Sequence, residues 1–308
     1  VSLGKYRHLS RCTNRAGQFV IMAIDHRANL REALEKHSGP LDDLAFRDFK
    51  LQVIEASAAQ VTAVLADPAF GLGAVVAGRK FTGGLLSPLE VTDYGVHPSQ
   101  RELRWIPNWG VAKVKRMGGD GIKLLLPFHP QLASAEAKKT QVEQVVAECE
   151  THDIPLYLEP IACAPTPEGK LSGQEQREIT VEMAQLFSAL GADVLKLQLP
   201  SEESEWEATC RDLGKVCSGP WALLSGGVDF ESYCRQAERA CFHGASGVIA
   251  GRAVWSEACT LQGRERAEFL RTVVPARLQR LQAACAGAAP FWSNLKEPDP
   301  GLDWYESY

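Results

Sequence analysis

The sequence predicts a (β/α)8 barrel, the α/β fold also called the TIM barrel, on three observations. Eight short apolar runs, most closed by charged residues, Gly or Pro, alternate with stretches of helical periodicity. The 308 residues cover the roughly 250 that such a barrel takes, with some to spare. No GxGxxG follows the first apolar run, which counts against a doubly wound dinucleotide-binding sheet. One barrel domain over residues 1–308 is therefore expected. It carries an aromatic C-terminal extension from about 287 to 308 (Phe291, Trp292, Trp304, Tyr305, Tyr308) that folds back onto the body.

Residues 1–18 are polar and contain an Asn14-Arg15-Ala16-Gly17 turn. Phe19–Ile24 is the first strand and stops abruptly at Asp25-His26-Arg27, as buried parallel strands do when they present side chains at a working face. Pro40–Ala59 has a helical stripe of Leu44, Phe46, Phe49, Val53 and Ile54. Val61–Ala66, stopped by Asp67-Pro68, and Gly84–Leu89, ending in Glu90, are the next strands, and Tyr94–Pro107 is a long loop. A short helix over Gly110–Met117 leads to the strand Gly121–Leu126, and a long one over Ser134–His152 leads to Pro155–Glu159. After the Pro- and Gly-rich loop Pro160–Gly173, the helix Gln174–Leu190 ends at Gly191. The sixth strand lies in Gly191–Pro200, followed by a helix around Glu203–Val216. The strand Trp221–Leu224, the helix Asp229–Phe242, the strand Gly247–Ala250 and the long helix Arg264–Ala286 complete the order.

Composition narrows the function. A net charge of −5 without a basic run gives no footing for general nucleic-acid binding. No apolar stretch approaches the roughly 20 residues of a membrane span, and no charged-then-apolar signal segment opens the chain, so a cytoplasmic protein is expected. The nine cysteines are scattered, odd in number and free of CxxC or Cys/His spacing, which predicts reduced structural thiols and no zinc site.

The inward face of the strands carries the chemistry. In Gly191–Pro200, Leu195, Leu197 and Leu199 share one face, while Lys196 sits between Val194 and Gln198 on the other. A cation in mid-strand is costly unless it has a carboxylate partner or serves as a reactive amine. On the fourth strand Lys123 alternates with Ile122, Leu124 and Leu126; on the fifth, Tyr157 and Glu159 alternate with Leu156 and Leu158. Consecutive strands thus offer Lys123, Glu159 and Lys196 to one interior, with Asp25 facing the same side. Two close lysines are expected to depress each other's pKa, as an amine nucleophile needs. The alternative is a salt-bridge filler, a poor stabiliser after desolvation.

At the seventh and eighth strand ends, Ser225-Gly226-Gly227 and Gly251-Arg252 are expected to form an anion cradle from backbone N–H groups, a helix N-terminus and a guanidinium. Plain tight turns are the alternative for these glycines.

Several segments carry a resemblance: Ala23-Ile24-Asp25-His26-Arg27, Asp67-Pro68-Ala69-Phe70-Gly71-Leu72, Leu158-Glu159-Pro160, Asp193-Val194-Leu195-Lys196, Leu224-Ser225-Gly226-Gly227-Val228 and Ala250-Gly251-Arg252-Ala253-Val254-Trp255. In this order, over about residues 17 to 280, the chain resembles the class I tagatose 1,6-bisphosphate aldolases and their relatives, the sulfofructose 1-phosphate aldolases. The resemblance implies a class I aldolase-type barrel that needs no cofactor or metal and cleaves a phosphorylated or sulfonated sugar to dihydroxyacetone phosphate and a three-carbon aldehyde. It implies Lys196 as the Schiff-base lysine, with Glu159 and Lys123 as its acid/base and electrostatic neighbours. Ser225, Gly226, Gly227, Gly251 and Arg252 would hold the phosphate, and Asp25 and Arg27 would lie near the hydroxyls and the far end. The family usually has Gln where this chain has His26, and the aromatic tail has no counterpart there.

Two further classes stand beside this expectation. A non-catalytic sugar-phosphate-binding barrel would keep the cradle and lose the amine, and a zinc-dependent aldolase would need histidines at ligand spacing, which are lacking. Neither nucleic acid nor membrane is expected as a partner. The aromatic tail could serve as an interface between copies of the chain, leaving a homo-oligomer open.

Overall fold

In the computed structural model, which describes residues 1–295 and 297–308, eight parallel strands close into a barrel in chain order. They are β1 Phe19–Ile24, β2 Ala63–Ala66, β3 Gly84–Pro88, β4 Gly121–Phe128, β5 Leu156–Ala162, β6 Val194–Leu197, β7 Trp221–Leu224 and β8 Gly247–Ala250. Closure comes from β1, which pairs with β8 (Phe19 opposite Gly247) and with β2 (Ile21 opposite Ala63). The expected (β/α)8 barrel is therefore present, with strands shorter at β2 and β6 and longer at β4 and β5 than the apolar runs suggest.

The period-two pattern divides the core into two shells. Inside the barrel, Phe19, Ile21, Ala23, Ala63, Leu65, Leu86, Tyr157, Val194, Ala222 and Ile249 form one apolar cluster. Outside it, the alternate residues, among them Ile122, Leu124, Leu156, Leu158, Leu195 and Leu197, pack under the helices. The expected helices appear with ends shifted by up to three residues: Asp43–Ser57, Val111–Met117, Ala135–Thr151, Gly173–Ala189, Trp206–Val216, Phe230–Phe242 and Gly263–Ala284. Leu44 departs from the expected stripe of its helix and is exposed.

Besides the short Gly73–Ala77 and Trp304–Ser307, two longer helices escape the sequence reading. Leu3–Arg11 occupies the segment read as a polar lead-in. The Ser2 hydroxyl caps it by accepting from the Lys5 amide at 3.2 Å, and its polar side chains dock onto carboxylates that precede barrel strands. Lys5 pairs with Asp193 at 3.0 Å, and Arg11 and His8 with Asp120 at 2.8 and 3.0 Å. With Leu9 and Cys12 buried, this helix plugs the N-terminal mouth of the barrel and leaves the C-terminal mouth as the open end. Ala28–Ser38 is the second unforeseen helix, directly after β1.

The tail does fold back. Phe291 is fully buried in the barrel-floor cluster, 5.2 Å from the Tyr6 ring and 6.2 Å from Phe19, and Tyr308 donates to the Asp153 carboxylate. All nine cysteines are free and buried, and no described helix is long and apolar enough to cross a membrane.

Candidate active site

One step along each strand beyond the apolar cluster, the inward face turns ionic. Asp25 ends β1, Glu90 follows β3, and Lys123, Glu159 and Lys196 stand on β4, β5 and β6. Lys123, Glu159, Lys196 and Glu90 are buried, so each charge needs a partner. The Lys123 ammonium lies 2.6 Å from Glu90 Oε1, 3.1 Å from Asp25 Oδ2 and 3.2 Å from Glu159 Oε2. The Lys196 ammonium donates to that same Glu159 Oε2 at 2.9 Å. A single carboxylate oxygen therefore bridges the two amines.

For Lys123 the structure overturns the expected depression. Burial works against the Lys123 ammonium, but Asp25, Glu90 and Glu159 outweigh it and hold its pKa well above the ordinary lysine value. Burial likewise pushes the Glu159 carboxyl up, and Lys196 and Lys123 outweigh that push and bring it below the usual carboxylate range. Asp25 is held down in the same way, by Lys123 with His26 and Lys196. Glu90 goes the other way: burial prevails over Lys123 and raises its pKa, and its Oε2 is buried without a hydrogen-bond partner.

Above this floor opens a cavity of about 250 Å³. Ser225, Gly226, Gly251 and Arg252 line it as expected; Gly227 does not, and lies instead beneath the guanidinium, where a Cβ would sit 3.2 Å from Arg252 Nη2. Gly226 (φ +56°) and Gly227 (φ +85°) turn the chain through the left-handed region, and a Cβ at Gly226 would stand 2.8 Å from Gln198 Nε2. The expected helix N-terminus contributes little. The helix after β8, Arg252–Trp255, is only four residues long, and the one after β7 begins at Phe230 with Asp229 as its cap. What remains for the expected cradle is turn backbone and Arg252, which makes no ion pair among the described residues.

The opposite rim belongs to Arg27 and to the segment after β3. Glu90–Val91 pairs with Arg104–Trp105 as a small antiparallel ribbon, so the expected long loop is pinned at both ends. Arg27 lines the cavity and donates through Nη2 to the Glu90 carbonyl at 2.5 Å, fixing this ribbon to the end of β1. Tyr94 and Arg101 of the loop also line the cavity, with the Arg101 guanidinium stacked 5.1 Å from the Tyr94 ring centre.

Sequence reasoning missed Glu90, Tyr94, Arg101 and the place of His26. Glu90 could have been found by carrying the inward period of β3 from Leu86 past Pro88 to the residue two further on. Tyr94 and Arg101 lie in a loop without a period, so no spacing marks them. His26 lies inside the cavity, its ring edge-on to Trp255.

The fold is a (β/α)8 barrel with a charge-lined cavity at the C-terminal ends of its strands, where enzymes of this architecture carry their active sites. Residues 19–257 match the family model described as DeoC/LacD family aldolase, and the chain belongs to that family. It is thus an aldolase, a carbon–carbon lyase. Among curated relatives, the chain is 29% identical over 326 aligned positions to a tagatose 1,6-diphosphate aldolase of Listeria monocytogenes, covering 96% of this chain and 95% of the relative. It is 27% identical to tagatose 1,6-diphosphate aldolase 2 of Streptococcus mutans, over 96% and 98% of the two chains. Among solved structures, an archaeal fructose-1,6-bisphosphate aldolase aligns with a TM-score of 0.60 at 18% identity, over 90% of this chain and 99% of the other. At that identity the likeness is one of fold.

Proposed function

We propose that this chain is a class I aldolase that cleaves a ketose 1,6-bisphosphate of the tagatose type to dihydroxyacetone phosphate and glyceraldehyde 3-phosphate, through a Schiff base on Lys196. The observation that carries this reading is the 2.9 Å contact of Lys196 Nζ with Glu159 Oε2 on the floor of a closed-bottomed cavity. Glu159, held as a carboxylate, is placed to take the proton that Lys196 must lose before its lone pair attacks the C2 carbonyl. The same carboxyl then returns a proton to the carbinolamine oxygen, which leaves as water. The iminium draws the electrons of the C3–C4 bond as Glu159, a carboxylate again, takes the C4 hydroxyl proton and C4 leaves as the aldehyde carbon. The enamine left behind is protonated at C3 and hydrolysed.

Lys123 has a different part. Three carboxylates hold it as a cation, so it is no nucleophile; it fixes Glu159 and supplies positive charge beside the reacting carbonyl. Ser225, Gly226, Gly251 and Arg252 would take the C1 phosphate. Asp25 would lie near the sugar hydroxyls, with Arg27 towards the far end. The tagatose-type relatives support the bisphosphate, although a sulfonate at the far end would meet the same guanidinium.

The test is a substrate panel with EDTA present: tagatose and fructose 1,6-bisphosphates against sulfofructose 1-phosphate. Turnover of tagatose 1,6-bisphosphate above the others is expected. A clear preference for sulfofructose 1-phosphate would move the chain to that branch. Activity lost to EDTA and restored by zinc would contradict the Schiff-base mechanism.

A further inference from the structure

His26 lines the cavity, and the proposed mechanism leaves it without work. Its Nδ1 is buried and has no hydrogen-bond partner. The nearest carboxylate oxygen, Asp25 Oδ1, is 3.9 Å away, beyond hydrogen-bond length. The ring is nevertheless held in place. It lies edge-on to Trp255 with centroids 5.4 Å apart, and the Trp255 indole N–H is itself tied to the Ala23 carbonyl at 3.1 Å. The imidazole is fixed against the turn after β8, where a Cβ on Gly251 would stand 3.5 Å from its Cε1. That turn carries Arg252, the guanidinium without an ion pair among the described residues.

We propose that His26 is part of the phosphate subsite: neutral in the free enzyme, it takes a proton from solvent as a phosphate dianion settles on Gly251 and Arg252, and donates an N–H to it. This rests on the cradle assigned to those residues above. The charges facing the ring are Asp25 from its own strand end, Arg252 after β8, Lys196 on β6 and Lys123 on β4. With three cations to one anion, and with burial as the larger effect, the imidazole pKa falls to about 4 and the ring is neutral near pH 7. A dianion placed on Arg252 adds two negative charges to this shell and cancels its net positive charge. A proton on the ring then gives the phosphate a second cationic donor, at a nitrogen that has no other use.

The proposal predicts a proton count. Calorimetric titration of the full chain with inorganic phosphate, and separately with dihydroxyacetone phosphate, near pH 6 and in buffers of different ionisation enthalpy, measures protons taken up per ligand bound. The ligand's own titration is common to all variants, so the difference between variants belongs to the protein. The unaltered chain is expected to take up close to one proton more than His26→Gln. Its affinity should gain up to about tenfold per pH unit of acidification relative to that variant. In the unaltered protein, the ¹⁵N resonances of His26 should move from neutral to imidazolium positions at saturation, a readout that does not depend on any variant folding. Equal proton counts, or a ring that stays neutral in the complex, would overturn the proposal. If Arg252→Ala loses phosphate while His26 in the unaltered protein never titrates, the cradle stands and His26 is removed from it. If neither ligand binds the unaltered chain, the cradle falls and this proposal with it.

Discussion

The floor and the rim of the cavity are both rich in charge, and they differ in how that charge is balanced. On the floor, Lys123 and Lys196 are matched by Asp25, Glu90 and Glu159 within 2.6 to 3.2 Å. On the rim, Arg27, Arg101 and Arg252 make no ion pair among the described residues; Arg27 and Arg101 donate to backbone carbonyls instead. A floor that is compensated before substrate arrives can hold its groups in fixed positions and move protons among them. A rim left positive invites an anion. Substitutions on the floor should therefore damage chemistry or stability, and those on the rim should damage binding.

Glu159→Gln gives the largest effect short of removing the nucleophile. It keeps the shape and deletes the proposed proton carrier, so kcat should fall on the order of 10²–10⁴-fold with KM little changed. A drop of only a few-fold in steady-state turnover would reduce Glu159 to a structural partner of the two lysines.

Lys123→Met tests whether the floor is held together by compensation. It strips the shared cation from three buried carboxyl groups, and destabilisation of about 3–5 kcal/mol is expected from the uncompensated charge. Denaturant titration measures this, and an unchanged midpoint would mean that the carboxyls simply take up protons without cost. Arg252→Ala should show the opposite profile. KM for phosphorylated ketoses rises through the loss of a charge-assisted contact of roughly 1.5–3 kcal/mol, while the melting temperature stays where it was. Unchanged KM would take Arg252 out of the site.

The smallest effect is a slope. Because His26 is held near 4 against an ordinary value of 6.5, the folded chain binds fewer protons than the unfolded chain between those values. Its contribution to stability is whole above pH 6.5 and is lost as the pH falls towards 4. Stability against denaturant, measured at steps across this window, should fall less steeply in His26→Gln than in the unaltered protein. Parallel slopes would show that the ring does not titrate in this range.

These contrasts were unequally legible in the sequence. The barrel could be read because parallel strands buried on both faces leave apolar runs with abrupt ends. Lys196, Lys123 and Glu159 could be read because a charge in a period-two pattern has nowhere else to go. The electrostatics of the floor could not, since they depend on which oxygen lies between which amines: the sequence offered a lysine pair, and the structure interposes Glu159 Oε2. Asp67 illustrates the same limit. It ends β2 as Asp25 ends β1, yet it turns away from the cavity to a buried ion pair with Lys50 and caps the turn that follows. Tyr94 and Arg101 reach the rim only because the ribbon of Glu90–Val91 and Arg104–Trp105 folds their loop over the mouth. The Leu3–Arg11 helix was hidden because its partners Asp120 and Asp193 lie more than a hundred residues away in sequence.

The central claim is that Lys196, and not Lys123, is the nucleophile, and covalent trapping tests it most directly. Treating the enzyme with borohydride in the presence of dihydroxyacetone phosphate reduces any Schiff base to a stable secondary amine, and peptide mass spectrometry then locates it. The account predicts inactivation with one three-carbon phosphate unit on the peptide that contains Lys196, and no labelling or turnover in Lys196→Met, whose thermal transition stays near that of the unaltered chain. A label on Lys123, or full turnover in Lys196→Met, would contradict it.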